Sequence, residues 1–176
     1  MNVTSIVGTM LMCAALALAA VSATLSGAGP QSGRDRTAHE VTFAEALAQV
    51  ESAQVELVRG RPEAFKALWS HRDDVTLTGG LGGAIEKGWS NVSRRLEWVA
   101  TQYAEGRREH QEIARVVGRD LAYVVQKEII RYRVPGRTTH MSQELRAVMV
   151  FRLEEGAWRI SHRQADSQTA VLPGFY

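Results

Sequence analysis

An α+β domain, with helices leading and an antiparallel meander closing the chain, is predicted by three features of this sequence. Apolar residues recur at helical spacing from Phe43 to Leu57 and again from Val92 to Tyr103. From His110 onward, long runs rich in β-branched and aromatic residues are broken by Gly118-Arg119-Asp120, Pro135-Gly136 and Glu154-Glu155-Gly156. Nothing reads as an internal repeat, and the chain after the first thirty or so residues amounts to about one domain. Helices and strands in that order place the helices on one face of a curved sheet.

The chain opens with an uncharged, mostly apolar run from Ile6 to Leu25, then GAGPQSG, then the charged stretch Arg34 to Glu40. Residues 1–28 read as a signal peptide or N-terminal anchor, 29–40 as a polar linker and 41–176 as the folded domain. Val21-Ser22-Ala23 fits the small-x-small pattern of a cleavage site. The expected location is therefore exported or membrane-anchored, with the membrane touched only through this segment if it stays uncleaved.

Thr42 and Glu45 form a T-x-x-E capping box ahead of a helix whose Phe43, Ala46, Leu47, Val50, Ala53 and Leu57 share a stripe. Gly60 ends it. Pro62 suits the first turn of a short helix that faces Phe65, Leu68 and Trp69 inward. A brief strand follows at Val75 to Thr78. The run Gly79-Gly80-Leu81-Gly82-Gly83 lacks both the Gly-Lys-Ser/Thr of a phosphate loop and G-x-G-x-x-G spacing, so it reads as a turn at the mouth of the fold. Ser90 is placed to cap a third helix, with Val92, Leu96, Val99 and Tyr103 inward. Four strands then fall at about 110–117, 121–133, 138–153 and 157–165.

Charge and thiol usage exclude several classes. The net charge is +2, and the arginines are interleaved with Asp and Glu, so the continuous basic stripe of a nucleic-acid binder is missing. The short basic pairs Arg94/Arg95 and Arg107/Arg108 read as solvated faces. Cys13 is the only cysteine and lies in the leader, which leaves the domain without a disulfide, a thiolate nucleophile or a Cys metal site. His71 with Asp73 and Asp74 reads as a solvated turn, since no histidine pair has metal-ligand spacing. No metal and no cofactor are expected.

Strict alternation in the last strand puts Trp158, Ile160, His162 and Gln164 on one face, with Asp166 extending the row. Trp158 and Ile160 make that the core face, and the polar residues continuing it are where a pocket would find its few polar groups. A histidine there exchanges a proton near neutral pH, so His162 is the candidate acid or base, assisted by Asp166 or Gln164. On the preceding strand Gln143 heads a row with Leu145, Ala147, Met149, Phe151 and Leu153, while Arg146, Val148, Val150 and Arg152 form the other. Apolar residues on both rows predict that the outer face is covered too, by a second copy in a homodimer. Trp69, His71, Trp89 and Tyr123 complete the candidate ligand contacts, the aromatics supplying apolar area with a polar handle.

The segments LWSHRDDVTL, KGW, DLAYVV, LRAVMVFR and WRISHRQAD, in this order and spacing, resemble the SnoaL-like branch of the nuclear transport factor 2-like superfamily over Val41 to Asp166. The resemblance implies a cone of three N-terminal helices packed on a strongly curved antiparallel sheet, with a pocket between them. Ketosteroid isomerases of that superfamily use an aspartate base and an oxyanion pair of tyrosine and aspartic acid. On their pattern these positions fall on Gly79, Ala53 and Met149, so that chemistry is not implied here. Where close relatives show H-R-H-A-D this chain has His162-Arg163-Gln164-Ala165-Asp166, which removes a histidine pair but keeps His162 and Asp166. The sequence thus expects a pocket for a small hydrophobic or aromatic molecule. The alternatives are an enzyme moving a proton through His162/Asp166, as a cyclase, dehydratase or isomerase would, and a non-catalytic dimerisation or interaction module.

Overall fold

Phe43, Leu47, Val50, Ala53 and Leu57, the apolar stripe of the first helical segment, are the buried face of α1 (Pro30–Leu57). The computed structural model describes residues 30–167, with side chains from residue 42 onward. Helix α1 runs through Thr42, so the capping box does not open it, and the stretch expected to be a linker is helical from Pro30. The Thr42 hydroxyl instead accepts a hydrogen bond from Trp158 Nε1 at 3.3 Å, tying the helix to the last strand. The apolar leader and its cleavage motif lie outside the described residues. Among the described residues no helix is long and apolar enough to cross a membrane.

Pro62 sits at the N-cap of α2 (Glu63–Ala67) and delivers Phe65 to the core. Two short strands, β1 (Thr76–Thr78) and β2 (Glu86–Lys87), bracket the glycine-rich turn. Helix α3 (Trp89–Ala100) starts after Gly88 rather than at a Ser90 cap, because the chain leaves β2 with φ +82° at Gly88. It buries Val92, Leu96 and Ala100. The strands β3 (Ala104–Val117), β4 (Leu121–Arg133), β5 (His140–Glu154) and β6 (Ala157–Ser167) form the expected antiparallel meander.

The sheet order is β2-β1-β6-β5-β4-β3. One pairing departs from the all-antiparallel expectation. Strand β1 lies parallel to β6, with Leu77 opposite Arg163, and so covers the edge that the last strand of the meander would otherwise leave open. The helices pack against the inner face, and the core divides in two. One cluster centres on Phe43, Phe151, Trp158 and Ile160, with Phe43 edge-on to Phe151 and Trp158. A smaller one gathers Val58, Tyr103, Ile130, Leu145, Ala147 and Ala165. The second cluster is where the interior is incompletely filled.

Candidate functional site

Alternation along β6 is broken by one extra residue. Phe151 pairs with Ile160, but Val150 pairs with His162, so Ser161 is bulged out of the ladder. Beyond the bulge the inward row is Arg163 and Ala165, and His162 and Gln164 turn to the outer face. The expectation that His162 and Gln164 continue the row of Trp158 and Ile160 is corrected by this single insertion.

Arg163 is buried at 8% exposure and meets Glu128 on β4 in a two-pronged contact, Nη1 to Oε1 at 3.0 Å and Nη2 to Oε2 at 2.8 Å. Arg108, carried inward by β3, donates from Nη2 to the same carboxylate at 3.1 Å and to Gln126 Oε1 at 3.0 Å. One fully buried carboxylate thus bridges two guanidinium groups. Burial on its own would raise the pKa of Glu128, but the charges and hydrogen bonds of Arg163 and Arg108 outweigh it and hold the carboxyl well below the usual range. Glu128 stays ionised, and these three groups together carry one excess positive charge.

The network continues outward from Arg108. Its Nη1 donates to His110 Nδ1 at 3.1 Å, and His110 Nε2 lies 2.8 Å from Glu51 Oε1, which also accepts from Gln126 Nε2 at 3.1 Å. Since a guanidinium can only donate, Nδ1 is the accepting nitrogen of His110 and Nε2 carries the proton toward Glu51. Glu51 is partly exposed and balances the inner charge from a distance, across His110 and Gln126.

Four buried side-chain atoms have no partner among the described residues: Trp69 Nε1, Gln143 Oε1, and two on residues that line one cavity. Arg108 Nε and Gln54 Oε1 are buried without a hydrogen bond. Both residues line a cavity of about 540 Å³, its open mouth included, between the helices and the sheet. Leu57, Phe65, Leu77, Leu96, Ile130 and Leu145 give it apolar walls. Tyr103 adds a hydroxyl whose pKa is raised, by burial first and then by Tyr132 beside it, so it stays protonated. Apolar walls with a few converging polar groups are the attributes of a small-molecule site.

Backbone forms another wall. Gly79, Gly80 and Leu81 line the cavity, and a Cβ on Gly80 would come within 2.6 Å of the Leu145 side chain. The segment is tied at two points, since Gln143 Nε2 donates to the Gly80 carbonyl and Arg95 to that of Gly82.

None of the eight residues chosen from sequence lines this cavity. His162 accepts or donates at Nδ1 with Thr76 Oγ1 at 2.7 Å on the outer face, and burial lowers its pKa, leaving it neutral near pH 7. Gln164 donates to Asp166 at 2.8 Å on the same face. Trp69 is buried in the core, edge-on to Phe65. His71 and Trp89 stack on each other at 4.0 Å, and Tyr123 points outward, 39% exposed. Gln143 donates to the carbonyl of Gly80, a residue of the cavity wall. The residues that sequence reasoning missed are Gln54, Tyr103, Arg108, Glu128 and Arg163. A signal for one of them was present: Glu128 shares its strand parity with Ala122, Val124, Gln126 and Ile130, and a charge in an apolar inward row requires a buried partner.

A family model described as a SnoaL-like domain matches residues 56–167. A comparison with curated proteins finds no match. Among solved structures, the chain is similar to a proposed dehydratase of the NTF2-like family from Streptomyces avermitilis, with 18% identity, TM-score 0.64, and coverage of 77% of this chain and 99% of that one. It is similar to a nuclear transport factor 2-like superfamily protein from Salmonella enterica, with 14% identity, TM-score 0.62, and coverage of 82% and 99%. A hexachlorocyclohexane dehydrochlorinase, LinA type 2, matches with 15% identity, TM-score 0.61, and coverage of 81% and 99%. At these identities the likeness shows the fold, an α+β cone of the nuclear transport factor 2-like kind.

Proposed function

The chain belongs to the SnoaL-like domain family, and from that premise we propose that it binds a small, largely apolar molecule bearing an acidic oxygen group, without turning it over. The observation that carries the reading is the unpartnered, buried Nε of Arg108, a residue that lines a cavity whose other walls are mostly apolar. A buried donor left unsatisfied costs about 1–3 kcal/mol, and a ligand carboxylate would remove that cost beside two guanidinium groups that share one buried carboxylate. The apolar remainder of the ligand would lie against Leu57, Phe65, Leu96 and Ile130.

Turnover is disfavoured by the chemistry of the lining. Among the described residues that line the cavity there is no histidine, and the one carboxylate, Glu128, is held ionised by two arginines and is a weak base. A competing reading, elimination of the kind named for two of the similar structures, draws support from Arg108 and the protonated Tyr103 as a pair that could stabilise a developing oxyanion. It lacks a base.

The reading extends to assembly and location. Across the outer face Val116, Tyr123, Val150 and His162 form one cross-strand row and Ala114, Val125, Val148 and Gln164 the next. Beside them runs the charged row Lys127, Arg146 and Asp166. Such a surface supports pairing of two copies through the sheet. The apolar run Ile6 to Leu25 supports export or tethering to a membrane.

The test is calorimetry on the full chain with phenylacetate and its neutral isostere phenylacetamide. The acid should bind at least about tenfold tighter than the amide, a preference lost in Arg108→Met and kept in His162→Ala. Equal binding of acid and amide, or loss of acid binding in His162→Ala, would overturn the proposal.

A further inference from the structure

Gln54 and Arg108 line one cavity, and each has a buried atom left without a partner, the two of opposite kind. Arg108 Nε is a donor and Gln54 Oε1 an acceptor, each buried and each without a partner among the described residues. Gln54 is only 2% exposed, and the Arg108 side chain likewise 2%. The amide orientation is set by its other neighbour: Nε2 lies 4.0 Å from Met149 Sδ, and a thioether sulfur can only accept, so the amide nitrogen is turned to it and the oxygen is left over. A carboxylate satisfies Arg108 and does nothing for Gln54. A hydrocarbon satisfies neither.

We infer that the site is built for a hydroxylated acid, a molecule whose carboxylate meets Arg108 Nε and whose hydroxyl donates to Gln54 Oε1. The inference rests on the acid-binding reading above and narrows its ligand class. Its physical basis is the asymmetry of buried hydrogen bonds. A site with a desolvated acceptor discriminates against a ligand lacking the matching donor, because that ligand buries the acceptor unpaired. The apolar walls then recognise the carbon skeleton without distinguishing the two.

The experiment compares matched pairs on the full-length protein by calorimetry: mandelate against phenylacetate, and 3-phenyllactate and tropate against 3-phenylpropanoate. In the unaltered protein at least one hydroxy acid should bind about tenfold or more tighter than its deoxy parent. In Gln54→Leu that preference should vanish, because the deoxy acid, no longer burying an unpaired acceptor, gains on its hydroxylated partner. Gln54→Met, closer in shape, serves if the leucine variant fails to fold, as judged by thermal melting and near-ultraviolet circular dichroism. Equal affinities within every pair would overturn the inference and leave the acid-binding reading standing, with water then the partner of Gln54. A hydroxyl preference that survives in both Gln54 variants would assign the hydroxyl to another group, such as Tyr103, and also overturn it. Absence of binding by all the acids would sink both.

Discussion

Glu128 holds two guanidinium groups with one buried carboxylate, so its loss leaves two desolvated cations facing each other. Glu128→Gln should destabilise the fold by about 3–5 kcal/mol, read by chemical denaturation. A loss under about 1 kcal/mol would mean that the cluster is more hydrated than its burial implies. The same group sets an acid limit. In the unfolded chain this carboxyl titrates near 4.5, and in the folded one it is held lower by Arg163 and Arg108, so it stabilises the protein above that pH. The contribution disappears as pH falls toward the folded value, and the variant's stability should be flatter over that acid range. Little of this cluster was legible residue by residue. Arg107 and Arg108 read as one solvated pair, yet the strand sends Arg107 out and Arg108 in, and only the partner at Glu128 decides which.

Bulges, more than strands, position the site. The start of β3 shifts register between Ala104 and Arg107, with Glu105 at φ 55°, and there the strand crosses the end of α1. A Cβ on Gly106 would sit 1.9 Å from the Val58 carbonyl oxygen, so only glycine allows the crossing that sets the inward phase of Arg108. Gly106→Ala should cost at least about 1–3 kcal/mol and weaken acid binding beyond what the melting loss explains. A variant of unchanged melting temperature would show that helix and strand can part at no cost. The elements themselves were largely readable, because α1, α3, β4 and β5 obey one period each. Strand β6 was not, because the extra Ser161 leaves no mark on composition and reverses every later residue. That reversal is why His162, Gln164 and Asp166 were expected inside and Arg163 was overlooked.

Viewed as one body, the domain has an inner face that holds the cavity and an outer face whose apolar rows have no cover within the described residues. If two copies pair there, Tyr123→Glu combined with Val150→Glu should convert a dimer to a monomer in light scattering, with acid binding unchanged. A monomeric parent protein would remove the pairing proposal. The fold class was visible at this scale from the order of helices and meander alone. The parallel β1–β6 contact was not, since three residues of strand carry no direction.

The glycine wall has a kinetic meaning. Gly79 to Leu81 form a side of the cavity in main chain, tethered through the Gly80 and Gly82 carbonyls by Gln143 and Arg95. A ligand that leaves through that side, and not through the open mouth, must wait for the tethers to open, so on that route residence time is set by loop opening. Gln143→Ala should raise association and dissociation rates together in stopped-flow, leaving their ratio nearly fixed. A change in dissociation alone would place the route elsewhere. On that route a bound molecule would stay through dilution for as long as the two main-chain tethers remain closed.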